Sequence, residues 1–499
     1  MATSNSNPNT FATRIINGLV WCGFLIYAIA APHSIAISWV GISLLVLGWL
    51  IRTAVTRRLG IQRSPMDLPL LLFIAWTVLS SILSIEPRDS IPKLINVSTF
   101  LFFYLAQSLL SRKLAIMVAG VMILSAAAGV LWGAGELVLG RGVIVNALST
   151  DSPLRSATPL TEGDVIWRVN NTRVSTVEEI NDGLRRTCAG CTLRLSVISR
   201  GEHAEWTARL PDKPVNDSNP SGITGGGPTH RFRASGWTRH YETFAEVLQI
   251  IAQFALGFAI VNWKRSKDAT ANVPKLRKRA LVAAIGFAIV AIGIPLTAMR
   301  STLTAVAIGA LVIAWRMATT QRQRIILVTA VLVILVGGGW FVWRTREQGA
   351  LALQDASANL RYQVATTAAR RVMLHPIFGH GMDAMHEHWN EWGFPGRDML
   401  DAHSTPIQIA FDRGWPALAF WFWLLFSFWR FVMRTERVTA QAGDANAHAL
   451  SVGIIGAFAG FVLSSLVNYN FGDSEVVLLV WWMMGAAVVL NRSVMSDEL

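Results

Sequence analysis

The chain has 499 residues, 52% of them hydrophobic and only 15% charged, where a soluble domain carries about 25% charge; this excludes a soluble globular protein. Twenty tryptophans fit the same class, because the indole ring suits the membrane–water interface. The net charge of +13 is dispersed over short basic loops and not gathered on one folded face, which excludes a nucleic-acid-binding protein.

The N-terminal MATSNSNPNTFATR carries one arginine and no small-residue cleavage site, so no cleavable signal is expected. A spanning helix needs roughly 20 apolar residues. Twelve stretches qualify: 14–31, 34–51, 67–85, 93–110, 114–138, 242–263, 280–298, 302–317, 325–343, 415–433, 449–467 and 475–491. The basic loops RTAVTRRLGIQR (52–63), SRK (111–113), KRSKDATANVPKLRKR (264–279), RMATTQRQR (316–324) and RTER (434–437) all fall on one side when the N-terminus is cytoplasmic. Both termini are then cytoplasmic. The long segments 139–241 and 344–414 lie outside, where a site is expected.

Residues 139–212 break the membrane pattern. RLSVISRG and WTARLP alternate like strands. STVEEINDGLRR reads as a short helix capped by Ser175 with Glu178 three residues on. The run from Gly140 to Leu184 resembles a PDZ domain of the bacterial type, on SPL (152–154), LTEGDVIWRVNNTRV (160–174) and the final strands. That resemblance implies a small α/β module whose loop Gly140, Arg141, Gly142 and Val143 offers backbone N–H groups to a peptide C-terminus. A PDZ-shaped spacer without a peptide ligand is the other reading. Cys188 and Cys191, in CAGC, read most simply as a short-loop disulfide on an oxidising face, with a redox-active pair as the alternative. Cys22 reads as a packing residue in the first span. PDKPVNDSNPSGITGGGPTH (211–230) reads as a flexible linker.

Three external positions stand out further along. Arg300, in IPLTAMRSTLTA, tips a tight hairpin, against the usual inward bias of positive charge. SANLRYQVATTAARRVMLHPIFGHG (357–381) reads as an external amphipathic helix carrying Arg361, Arg370 and Arg371 and ended by His-Pro and Gly. DAHST places His403 just before another span. Taken singly, each has a bland reading: an interfacial arginine reaches lipid headgroups, and a histidine at a helix start caps it. His386 and His388 form an HxH pair without an acidic partner at metal spacing, so no metal site is assigned. Together, arginines and a histidine at the bilayer surface suit a lipid-attached anion. Arg grips phosphate oxygens bidentately, and His takes a hydroxyl proton near neutral pH.

The order of these pieces resembles the O-antigen ligase and polymerase superfamily of bacterial envelope glycosyltransferases. It rests on SIEPRDSIPK, RASGWTRHYETFAEVL (233–248), LTAMRSTLTA, NLRYQVATTAARRVMLHPIFGHG and AHSTPIQIAFDRGWPALAF (402–420). The resemblance implies a mainly α, polytopic, GT-C-like fold of about 12 transmembrane helices in the bacterial inner membrane, with a periplasmic active site. It divides the chain into spans at 1–138, the PDZ-like module at 139–212, a linker at 213–240, spans at 241–343, the catalytic loop at 344–414 and spans at 415–499. It implies an inverting glycosyltransferase that needs no metal or other cofactor. A glycan would move from undecaprenyl diphosphate to a lipid A-core hydroxyl, the alternatives being an O-antigen or exopolysaccharide polymerase and a protein O-oligosaccharyltransferase. Arg300 and Arg361 match the family's two functional arginines and His403 its functional histidine. Arg88, Arg233, His240, Arg371 and His380, in the same pieces, are substrate-binding candidates. Ser404 stands where many members carry Asn, which bears on the acceptor. The partners implied are the lipid-linked glycan, its acceptor, membrane lipids and a peptide or protein for the PDZ-like module; no nucleic acid is expected. A transporter or PDZ-bearing membrane sensor would instead carry mid-membrane charges and an internal repeat.

Overall fold

Long apolar runs without water as a competitor must satisfy their backbone polar groups internally, and the helix does this within one segment. A computed structural model of the chain describes residues 10–187, 190–199, 202–209, 218–230, 233–238, 240–268, 272–327, 329, 352–396, 398 and 400–495. Nine helices among the described residues are long and apolar enough to cross a membrane. The chain is a mainly helical, polytopic membrane protein with a small α/β unit. It divides into two compact units, one of residues 1–129, 237–295 and 299–499, the other of 130–236 and 296–298.

In the first unit, α1 (Thr10–Ala30) and α2 (Ile35–Thr56) form a hairpin whose second helix is capped by Ser34. α3 (Asp67–Leu83) has 17 residues, about 25 Å at 1.5 Å each. The stretch 93–110, expected as one span, is instead α4 (Pro87–Val97), a single 3₁₀ turn at Ser98–Phe100, and α5 (Leu101–Leu109). Pro92 inside α4 removes one helical donor there. α6 (Arg112–Leu139) runs on towards the second unit. Two helices of the second unit intervene in the chain before α9 (Tyr241–Asp268), α10 (Val273–Leu296) and α11 (Arg300–Met317). The expected span 325–343 lies almost wholly outside the described residues. The helix foreseen within 357–381 is α12 (Ala352–Val372), which buries Val364, Ala368 and Val372 at every fourth position. A short α13 (Ala384–Glu387), then α14 (Thr405–Gln441), α15 (Ala445–Ser465) and α16 (Ser474–Met495) complete the unit.

α9, α11 and α15 approach through small residues. A Cβ on Gly257 would stand 2.4 Å from the Ala449 carbonyl, and one on Gly309 would stand 2.5 Å from that of Gly456. Lipid tails are as apolar as leucine, so close backbone approach drives this packing.

α14 begins ten residues before the span expected at 415–433 and breaks at Gly414, whose φ is 77° and ψ 175°. At the break Pro416 has no N–H for the Asp412 carbonyl. The Gly381 N–H donates to that oxygen at 3.0 Å, and the His380 N–H donates to the Phe411 oxygen at 2.8 Å. The Trp415 N–H, freed from the helix, donates to the Pro376 oxygen at 2.8 Å. A Cβ at Gly414 would lie 1.9 Å from the Ile377 carbonyl. Gly414→Ala is therefore expected to destabilise the protein by about 3 kcal/mol or more. Gly393→Ala has a similar φ of 70° but open space around it, and should cost only about 1 kcal/mol. Thermal unfolding of the two purified variants checks the difference.

In the second unit β1 (Arg141–Leu148), β2 (Val165–Val169), β3 (Thr172–Arg173), β4 (Thr192–Ser199), β5 (Glu202–Arg209) and β6 (Ile223–Thr229) form one sheet, with α7 (Pro153–Ala157) after β1 and α8 (Val177–Arg185) after β3 in the chain. Its order is β5-β4-β2-β1-β6, with β3 on β2, and every pair is antiparallel. Val143, Val145, Ile166, Ile180, Leu184 and Leu195 share its core. The cap of α8 lies one residue beyond the expected one. Thr176 accepts from the Glu179 N–H at 3.2 Å, and the Glu179 carboxylate accepts from the Ser175 N–H at 2.6 Å.

Two expectations change here. Ile223–Thr229, read as part of a flexible linker, is a strand. Its glycines let it lie close to β1, for a Cβ on Gly226 would stand 2.9 Å from Val143 Cγ1. Residues 141–143, read as a peptide-binding loop after Gly140, are the start of β1, paired with β6 from Arg141↔Thr229 and with β2 at Val143↔Ile166. Both edges of β1 are filled, so no free edge remains beside that loop for an added peptide strand. Cys188 lies outside the described residues; Cys191 is a disulfide cysteine, and Cys22 is a free, exposed thiol.

Candidate active site

The break in α14 positions the loop that precedes it. Gly379 and Gly381 take positive φ of 73° and 111°, as the HPIFGHG turn requires. The Glu86 N–H donates to the His380 oxygen at 3.3 Å, tying this turn to the start of α4, and Trp76 Nε1 donates to the Arg413 oxygen at 2.9 Å, tying the α14 break to α3. The chain then reaches Asp401, Ala402 and His403 immediately before α14.

His403 has φ 49°, an uncommon conformation for a residue with a side chain. Asp401 holds it there: one carboxylate oxygen accepts from the His403 N–H at 2.7 Å and lies 3.6 Å from its Nδ1. Nε2 is buried and has no hydrogen-bond partner among the described residues. Burial lowers the pKa of His403, the Arg361 cation adds to the lowering, and the carboxylates of Asp401 and Glu242 oppose it. The ring is therefore a neutral base at pH 7. Burial raises the pKa of Asp401, against the opposing pull of His403 and Arg361.

Arg361, in the middle of α12, donates from a terminal nitrogen to Glu242 Oε1 at 2.8 Å. Its Nε is buried without a partner among the described residues. Asp401, His403, Arg361 and Glu242 thus form one electrostatic group drawn from the loop, α12 and α9. One turn along α9, the buried Glu246 accepts from Ser464 Oγ and from Asn468 Nδ2, each at 2.7 Å. Asn468 also donates to Ser301 Oγ at 2.9 Å, and its carbonyl accepts from the Thr405 N–H at 3.1 Å. Arg300, exposed at the first position of α11, is thereby one residue from a network that reaches the start of α14.

The other candidates are placed differently. His380 is 1% exposed and lies flat on Phe411 at 4.4 Å, with His375 and Trp392 edge-on. Burial, reinforced by His375 and Arg371, lowers its pKa to about 4. Arg371 covers the Trp392 ring at 4.5 Å. Arg88 is exposed in the first turn of α4, and His240 is exposed just ahead of α9. Arg233 is half-buried in the second unit. His386 pairs with Asp398, and His388 with Glu391 at 2.7 Å and Glu86 at 3.0 Å. Among the described residues no three His, Cys, Asp or Glu side chains gather as a metal site.

Glu242, Glu246 and Asp401 were not singled out from the sequence. Their signals were two carboxylates four apart at the start of an apolar helix, and one two residues before the histidine.

Residues 285–422 match the family Wzy_C, O-Antigen ligase. The match includes Arg300, Arg361, Arg371, His380 and His403 and leaves Glu242 outside it. No curated protein matches the chain. The chain is a multi-pass membrane protein whose residues 285–422 are similar to the O-antigen ligase family.

Proposed function

We propose that the chain is an inverting glycosyltransferase that moves a glycan from undecaprenyl diphosphate to the lipid A-core at the periplasmic face of the inner membrane. The observation that carries this is His403 itself, a neutral ring with an unpartnered Nε2, braced by Asp401 and set beside Arg361 in the O-antigen ligase segment. His403 Nε2 accepts the proton of the acceptor hydroxyl as that oxygen bonds to the anomeric carbon. The bond from the anomeric carbon to the diphosphate oxygen breaks, and the diphosphate leaves with the electron pair. Arg300 and Arg361 stabilise the charge that develops on it. Attack from the face opposite the leaving group inverts the anomeric centre.

A gel of surface glycans from a strain lacking the gene tests this. Loss of long-chain lipopolysaccharide with retention of lipid-linked chains is expected. Single repeats on the core would identify a polymerase instead, and an unchanged pattern would overturn both readings.

A further inference from the structure

A cavity of about 190 Å³ lies among α3, α4, α14 and α16. Sites that enclose drug-sized ligands hold roughly 300–1,000 Å³, so this one suits a single small ring and not an extended chain. Five aromatic side chains line it: Phe73, Phe100, Tyr469, Phe471 and Trp481. Charged side chains line it as well. Lys93 pairs with Asp383 at 2.7 Å, and Arg413 stands next to Asp412.

Arg413 is only 7% exposed and lines the cavity. One of its terminal nitrogens donates to the Met382 sulfur at 3.0 Å, a weak acceptor, and the guanidinium also interacts with the Tyr469 hydroxyl. A guanidinium so weakly engaged has donors to offer a ligand oxygen. Asp383 holds a φ of 71°, a strained conformation of the kind found at functional sites.

The charges decide the ligand class. Two cations and two carboxylates line the cavity, which leaves little excess positive charge with which to hold a diphosphate. A sugar fits both kinds of side chain. Each hydroxyl donates and accepts, matching carboxylates and guanidinium together, and the C–H faces of the ring lie on aromatic surfaces. The cavity also adjoins the catalytic loop. Gln408 lines it, accepts from the Ala402 N–H at 2.7 Å and donates to Asp412 at 2.8 Å.

We infer that this cavity binds one neutral pyranose unit of the transfer substrates. The inference deepens the proposed glycan transfer and rests on it for the identity of those substrates. Saturation-transfer NMR on the full chain in nanodiscs tests it, with the methyl glycosides of glucose, galactose, rhamnose and N-acetylglucosamine as probes and inorganic diphosphate as competitor. At least one glycoside should bind the wild-type chain and His403→Ala alike, and diphosphate should not displace it. Arg413→Gln should weaken that binding about tenfold or more. Tyr469→Phe, which keeps ring and volume, should weaken it as well and so excludes misfolding as the cause. No binding to the wild type, displacement by diphosphate, or equal binding by both variants would overturn the inference.

A transfer assay on Tyr469→Phe separates the two sources of the sugar. Rescue by excess acceptor makes the ring the acceptor's, and rescue by excess lipid-linked glycan makes it the donor's. Rescue by neither overturns the inference. Transfer left intact in His403→Ala with glycoside binding retained would overturn the proposed chemistry and support the cavity.

Discussion

Replacing His403 by alanine is expected to lower glycan transfer by about 10²–10⁴, the usual loss when general-base help is removed. His403→Asn keeps a residue type that tolerates the φ of 49° but cannot take a proton, so it should fail equally. A histidine that only holds this turn ahead of the Ser404 cap would tolerate it. Purified protein reconstituted with lipid-linked glycan and acceptor measures the rate, and wild-type transfer by His403→Asn would sink the assignment. The pH dependence adds an independent check. Transfer needs the neutral ring, and burial holds the His403 pKa below its ordinary value of about 6.5. Activity should therefore persist down through pH 6.5 and fall only as the pH drops through the lowered value. Asp401 pulls that value upward, so Asp401→Asn should move the acid limb to still lower pH while slowing transfer less than His403→Ala. An acid limb that shifts upward, or does not move, would show that the carboxylate does not act on the ring.

Arg361→Lys is expected to reduce transfer by about 10²–10³, the scale seen when one positioned donor to a developing negative charge is lost. Lysine keeps the charge but not the planar fork that grips two phosphate oxygens. Its effect on folding should be small. Arg361 and Glu242 are 28% and 38% exposed in their side chains, and pairs this open to solvent contribute about 0–1 kcal/mol. The separation of a large rate effect from a small stability effect is the signature sought. Glu242→Gln tests the other partner. It frees Arg361 to move, so transfer should fall while thermal unfolding stays near that of the wild type. A headgroup-anchoring arginine predicts the opposite pattern, with Arg361→Lys fully active. Transfer rates and unfolding midpoints measured on the same preparations decide between them.

Several residues of the candidate site are legible in the amino-acid sequence. Arg300 drew attention because it breaks the charge bias of membrane loops, and His403 because it stands where a polar loop meets an apolar run. These are local signals, visible within a dozen residues. Glu242 was not legible in that way. It lies 119 positions from Arg361, and nothing near either residue names the other. The span expected at 93–110 failed for a different reason. Its apolar content is that of a spanning helix, but Pro92 and the 3₁₀ turn at Ser98–Phe100 interrupt it, and hydropathy does not register backbone geometry.

By itself the amino-acid sequence determined that the chain is embedded in a membrane and where an inserted module interrupts the helices, and it singled out Arg300, Arg361 and His403 as candidates. Each depends on composition or on a short pattern, and solvation acts on those directly. Tertiary structure alone decided that Glu242 holds Arg361 and that carbonyls 411 and 412 at the Gly414 break serve the turn at 380–381. It alone decided that β6 closes the edge of β1, about 80 residues away in the chain. Such pairings are selected by the sum of many weak long-range contacts against chain entropy, and no local window of the sequence contains that sum.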